Sequence, residues 1–215
     1  MKFYALMIAA VGTLFVLIMG FGILRSKAKV RKADEAVDPP TCSDGWRITG
    51  YFTPIELDYS STEQRSVDIK NVGPMSFNSD FLRTVFDEEK GYGEGWGKTR
   101  AGWYLGNYDG AWHKADAPLD ANNAPLQPNS VAVDNAVIPN DSSVRIPGLP
   151  GDFGKMQFLS NDVGVTVHGK HIDVYTGEGK AAQKAMYDVT FEDEGELQRV
   201  CFSPGPDGLS VSAPD

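Results

Sequence analysis

A mainly β chain folded as one small barrel, held by an N-terminal membrane helix, is what this sequence predicts. Three observations lead there. Its 215 residues include Gly 23 and Pro 13, a content that favours turns and short strands over long helices. Short runs alternating apolar and polar residues recur, among them WRITGYFT at 46–53, SVAV at 130–133 and DVGVTVHGKHIDVY at 162–175. Finally, no charged side chain occurs from Phe3 to Leu24, and that run is long enough to cross a bilayer as a helix.

The apolar run exceeds the core of a cleaved signal, and no small-x-small site follows closely, so 1–24 reads as an uncleaved anchor. A charged, proline-ending tether covers 25–41, one folded domain 42–203 and a flexible tail 204–215. Five basic residues in RSKAKVRK follow the span, and the positive-inside rule would keep the domain in the cytoplasm. The net charge of −9 understates the acidity of that domain, because beyond residue 32 there are 14 basic against 29 acidic residues. Such a balance argues against nucleic acid as a partner, since phosphate binding needs a basic footprint. Cys42 and Cys201 flank the domain with a spacing that fits no metal motif. In an oxidising compartment they can close one bridge tying its ends; otherwise they are two unrelated buried thiols.

Along the domain, 46–54 reads as a strand ending at Pro54. Asn78 is an N-cap candidate for a helix over 78–89, with Phe81, Leu82, Val85 and Phe86 at helical spacing. The stretch 91–128 holds too many glycines and prolines for long regular elements, apart from a short strand around Trp103. Short strands follow at 130–138, 142–148 and 155–161, a short helix at 179–187, and one or two final strands over 188–202. In DVGVTVHGKHIDVY, a two-residue turn at His168-Gly169 makes a hairpin. Val163, Val165, Val167, Ile172 and Val174 then share one face, and Asp162, Thr166, His171, Asp173 and Tyr175 the other, with Gly164 leaving ligand space beside Asp173.

SVAVDNAVIPNDSSVRIPG followed by NDVGVTVHGKHIDVY resembles the three-aspartate (3D) domain, whose hallmark is AVDP.VIP.GT.V.I.G and then D.GG.I.G..ID.Y. ITGYFTP at 48–54 is similar to the TGYYEP segment of the membrane-bound lytic murein transglycosylases, a family with such a domain. Asp134, Asp162 and Asp173 occupy the three aspartate positions. The resemblance implies a six-stranded double-psi β-barrel with short helices, no cofactor, and cleavage of the glycan strands of peptidoglycan. It also implies a domain on the periplasmic or cell-wall side of a bacterial inner membrane, against the cue of RSKAKVRK. Asn135 stands where the family has proline, and Val165 and His168 replace a glycine and a lysine of its loop.

In that chemistry Asp173 protonates the leaving oxygen, the sugar's own 6-hydroxyl attacks, and the same carboxyl then takes up the proton. Asp162 would raise the pKa of Asp173 by like charge, and Asp134 would be a supporting polar anchor. The plainer role for Asp162 and Asp134 is to accept backbone N–H groups at strand ends. Substrate-facing candidates are Thr166, His171 and Tyr175 on the polar face, Thr99 in WGKTRAG, and Tyr51 and Trp103 among six aromatics of which two are expected in a groove; the others are Trp96, Tyr104, Tyr108 and Trp112. His168, His171 and Asp173 mimic a metal set, but strand positions three apart face opposite ways, so no metal is expected. Two other functions fit the same residues: a non-catalytic glycan-binding or wall-loosening barrel, and a phage-type lysis protein with a releasable anchor.

Overall fold

Alternation in WRITGYFT does produce the first strand, β1 (Thr41–Thr53), which turns Trp46, Ile48 and Phe52 to a buried face. The computed structural model describes residues 39–193 and 195–205. The anchor 1–24, the tether up to residue 38 and the tail from 206 lie outside the described residues. Among those described, no helix is long and apolar enough to cross a membrane.

β1 forms a closed six-stranded barrel with β7 (Ser130–Val133), β8 (Ser143–Arg145), β9 (Phe158–Asp162), β10 (His171–Glu178) and β11 (Gln198–Ser203), in the order β1-β10-β7-β9-β8-β11. Its interior is filled by Trp46, Ile48, Val131, Val133, Ile172 and Val174 with their neighbours. β1 and β10 run parallel, as do β7 and β9. Helix α2 (Gly179–Asp188) follows β10 and packs on β1 where Gly50 leaves room; a Cβ there would lie 2.9 Å from Cα of Met186.

Between β1 and β7 the chain builds a second sheet, β3-β2-β6-β5-β4, from β2 (Gln64–Ile69), β3 (Gly73–Asn78), β4 (Trp96–Lys98), β5 (Tyr104–Tyr108) and β6 (Ala111–Ala115). Helix α1 (Ser79–Val85) packs Phe81, Leu82 and Val85 into it. The Asn78 side chain caps α1 by accepting the N–H groups of Asp80 and Phe81, and the helix stops at Val85, short of the expected end at 89.

Three expectations need correction. The glycine-rich stretch holds three strands, not one, because Asp109 and Gly110 both take positive φ (51° and 70°) and turn β5 tightly into β6. The hairpin over 162–175 does not form. β9 ends at Asp162, β10 starts at His171, and β7 pairs with both and lies between them. With that place taken, Val163 and Val165 have no core to enter and are 49% and 74% exposed, while Val167 alone turns inward. Nor does Gly164 make ligand space: a Cβ there would meet Cγ2 of Val167 at 2.7 Å.

Cys42 and Cys201 are opposite one another on β1 and β11 and are disulfide-bonded, closing a covalent loop with a sequence separation of 159. The first and last strands of the barrel are thus tied. Replacing both cysteines by serine should lower stability by about 2–5 kcal/mol in urea unfolding. An unchanged midpoint would mean that strand pairing alone holds the seam.

Candidate functional site

One row of register partners crosses three strand junctions: Thr49 of β1 pairs with Asp173 of β10, Asp173 with Ala132 of β7, and Ala132 with Asp162 of β9. Register partners project to the same side of a sheet, so both carboxyls lie on one surface with only a methyl group between them. The two aspartates come together through β7 rather than through a hairpin.

Asp173 is half-buried at the floor of a cleft of about 510 Å³. One wall is barrel, with Gly50, Tyr51 and Phe52 of β1, Thr166, and Gln183, Met186 and Tyr187 of α2. The other comes from α1 and the loop after it, through Arg83, Lys90, Tyr92 and Glu94 among others. Burial pushes the Asp173 carboxyl up to about 7; a hydrogen bond from Thr49 Oγ1 (2.8 Å) opposes the rise and the charge of Asp162 adds to it.

Asp162 is engaged on both oxygens. The Tyr51 hydroxyl donates to Oδ2 at 2.7 Å and the Val163 N–H to Oδ1 at 2.9 Å. Burial raises its pKa against those bonds, and Tyr51 is raised in turn by burial and by the carboxyl it contacts. The ring of Tyr51 rests 5.2 Å from that of Tyr175.

Glu94 escaped the sequence reading. Its Oε2 accepts the Phe52 N–H at 2.9 Å, and burial pushes it to about 8, with the nearby Asp173 charge adding to the rise. Flanking glycines are its one sequence mark. Gly93 admits no side chain, since a Cβ there would meet the Val85 carbonyl oxygen at 2.5 Å. Thr49 was also missed, although alternation in ITGYFT puts it on the same face as Arg47 and Tyr51. Tyr92 and Tyr187, 46% and 66% exposed, stand along the cleft with no periodic pattern to announce them.

Of the residues singled out from sequence, Asp173, Tyr51 and Thr166 line the cleft. His171 is 4% exposed behind Thr49, so it offers no substrate contact. Tyr175 is equally buried, its hydroxyl 2.9 Å from that of Thr53. Thr99 donates to the Trp103 carbonyl within its own turn, and Trp103 packs edge-on to Phe77 in the second sheet. Trp96, Tyr104 and Trp112 are core, and Tyr108 stacks on His113, so Tyr51 is the one aromatic of the six in the cleft. Asp134 takes the plainer role: it accepts the N–H groups of Ala136 (2.9 Å) and Gly169 (2.7 Å), which lower its pKa and moor the loop before β10. Among the described residues no group of three His, Cys, Asp or Glu is placed to hold a metal ion.

Residues 129–188 match the 3D domain family. The 3D segment carries β7 through α2, with Asp162 and Asp173. No curated protein matches the chain as a sequence. Among solved structures, E. coli MltA with bound chitohexaose is 14% identical, with a TM-score of 0.51 over 75% of this chain and 72% of that one. A membrane-bound lytic murein transglycosylase from Agrobacterium tumefaciens is 12% identical over 77% of each chain, with a TM-score of 0.47. The first of these shows a shared fold; the second adds no weight.

Glu94 supplies a test of this electrostatic arrangement. Its folded-state pKa is raised, so the folded protein holds a proton that the unfolded chain releases, and stability is lost as pH rises from the ordinary glutamate value of 4.5 through about 8. Glu94→Gln keeps an oxygen for the Phe52 N–H and cannot ionise. Its stability relative to wild type should therefore improve between pH 5 and pH 9 in urea unfolding. Equal pH dependence in the two proteins would place Glu94 in water and not in the cleft wall.

Proposed function

We propose that this protein cleaves the glycan strands of peptidoglycan in the manner of a lytic transglycosylase, with Asp173 as acid and then base. The carrying observation is the Asp173 carboxyl, protonated up to about pH 7 and lining an open cleft. The 3D match and the fold shared with a protein crystallised with chitohexaose support a glycan as the occupant. We read the barrel as the double-psi form that the 3D resemblance implies.

Glycosidic cleavage needs a proton on the leaving oxygen while the C1–O bond breaks. Neutral Asp173 supplies it. The 6-hydroxyl oxygen of the same sugar then bonds to C1, and its proton goes to Asp173, restoring the acid with no water consumed. Hydrolysis would need a second, ionised carboxyl to activate water or attack C1. Glu94 is protonated at neutral pH and Asp162 has both oxygens occupied by Tyr51 and Val163, while the other lining carboxyls, Asp80 and Asp87, sit on α1 and the loop after it, in the opposite wall. Tyr92 and Tyr187 offer exposed rings for sugars beyond the scissile bond. Peptidoglycan as substrate puts the domain outside the cytoplasmic membrane, with the apolar N-terminal stretch as its anchor.

Asp173→Asn is nearly isosteric and removes the proton donor. Cleavage of purified murein should fall by roughly 10³-fold or more, from lost acid help and lost charge stabilisation, while murein binding persists. A variant cutting at near wild-type rate would remove Asp173 from the chemistry.

A further inference from the structure

Across the parallel pair β1/β10, Arg47 faces His171 and Thr49 faces Asp173. Residues two apart on a strand share a face, so these four polar side chains form a block beneath the cleft floor. Nη2 of Arg47 lies 3.0 Å from Nδ1 of His171, Nε2 of His171 lies 2.8 Å from Oγ1 of Thr49, and that hydroxyl donates to Oδ1 of Asp173 at 2.8 Å. The same Nη2 also lies 3.3 Å from Nε2, so Arg47 does not by itself fix the tautomer; Thr49 does, because its one proton goes to Asp173 and its oxygen must accept from Nε2. A neutral imidazole then has its proton on Nε2, which donates to Thr49 and leaves the threonine proton for Asp173.

We infer that Arg47, His171 and Thr49 form a one-way donor chain ending on Oδ1 of Asp173, which leaves Oδ2 as the oxygen that carries the transferable proton. His171 is thereby a positioning residue, acting through Thr49; the consequence for turnover rests on the acid role proposed above. Burial, together with the Arg47 charge, holds His171 below its ordinary pKa and so favours the neutral ring. The Thr166 carbonyl, 3.2 Å from Nδ1, competes for a proton there and would reverse the chain; the donation of Thr49 to Asp173 requires the ring proton on Nε2 and decides against it. The charged and titratable groups around the pair are Arg47 and Tyr51 on β1, Asp162 on β9, His168 before β10, Glu94 after α1 and Glu192 after α2.

Two spectroscopic readouts on the full chain test the direction of this chain without requiring turnover. Ring ¹⁵N shifts should show the neutral His171 ring as the Nε2–H tautomer at pH 7 to 8. The ¹³C titration of the Asp173 carboxyl should move up by about one pH unit in Thr49→Val, which loses a hydrogen bond to the charged form, and return in Thr49→Ser. On murein, the alkaline limb of kcat should move up with that titration while KM changes little. An Nδ1–H tautomer, or an Asp173 titration unmoved by Thr49→Val, overturns the inference. If both readouts behave as expected and no murein is cut, the donor chain stands and the acid role of Asp173 falls.

Discussion

The parallel register of β1 against β10 is the constraint on which the rest of the site depends. It sets Thr49 beside Asp173, Arg47 beside His171 and Tyr51 beside Tyr175, while Ile48 and Ile172 go to the barrel interior. A slip of one residue on either strand would exchange those faces, driving a carboxyl into the core and an isoleucine into the cleft. Each large apolar side chain withdrawn from the core forfeits about 1.5–3 kcal/mol, and Trp46, Ile48, Ile172 and Val174 all favour the same register. The core therefore fixes the polar face without any contact to it.

Chemistry follows from what that face does to charge. A carboxylate drawn partly out of water is disfavoured, and Asp173 meets this by holding its proton to about pH 7. The neighbouring row position is alanine, which seats Asp162 near enough to add to the effect but leaves its oxygens to Tyr51 and Val163. The second sheet contributes the opposite wall. Its α1 and the loop after it bring Glu94 to the Phe52 N–H, so a group remote in sequence helps to close the cleft over the barrel face.

Much of this was legible in the sequence, and the failures have physical causes. Period-two alternation marked β1, β7 and β10, and Asn78 before Phe81, Leu82 and Val85 marked α1, since these signals are local. Sharing of one face by His171, Asp173 and Tyr175 also followed from alternation. Pairing partners did not: the valines at 163 and 165 imitate a strand, and only the insertion of β7 between β9 and β10 shows why they stay exposed. The Asp109-Gly110 turn was readable as a hairpin signal and was masked by the surrounding glycines. Glu94 had only its flanking glycines as a mark, because its role arises from burial against a strand more than forty positions away.

Murein digestion by the full chain, followed by mass spectrometry of the fragments, tests the central claim most directly. A single acid–base carboxyl with the sugar's own hydroxyl as nucleophile leaves 1,6-anhydro ends, one water lighter than hydrolytic products. Anhydro-terminated fragments that disappear with Asp173→Asn are the predicted result. Fragments with reducing ends, or digestion that survives the substitution, would contradict it.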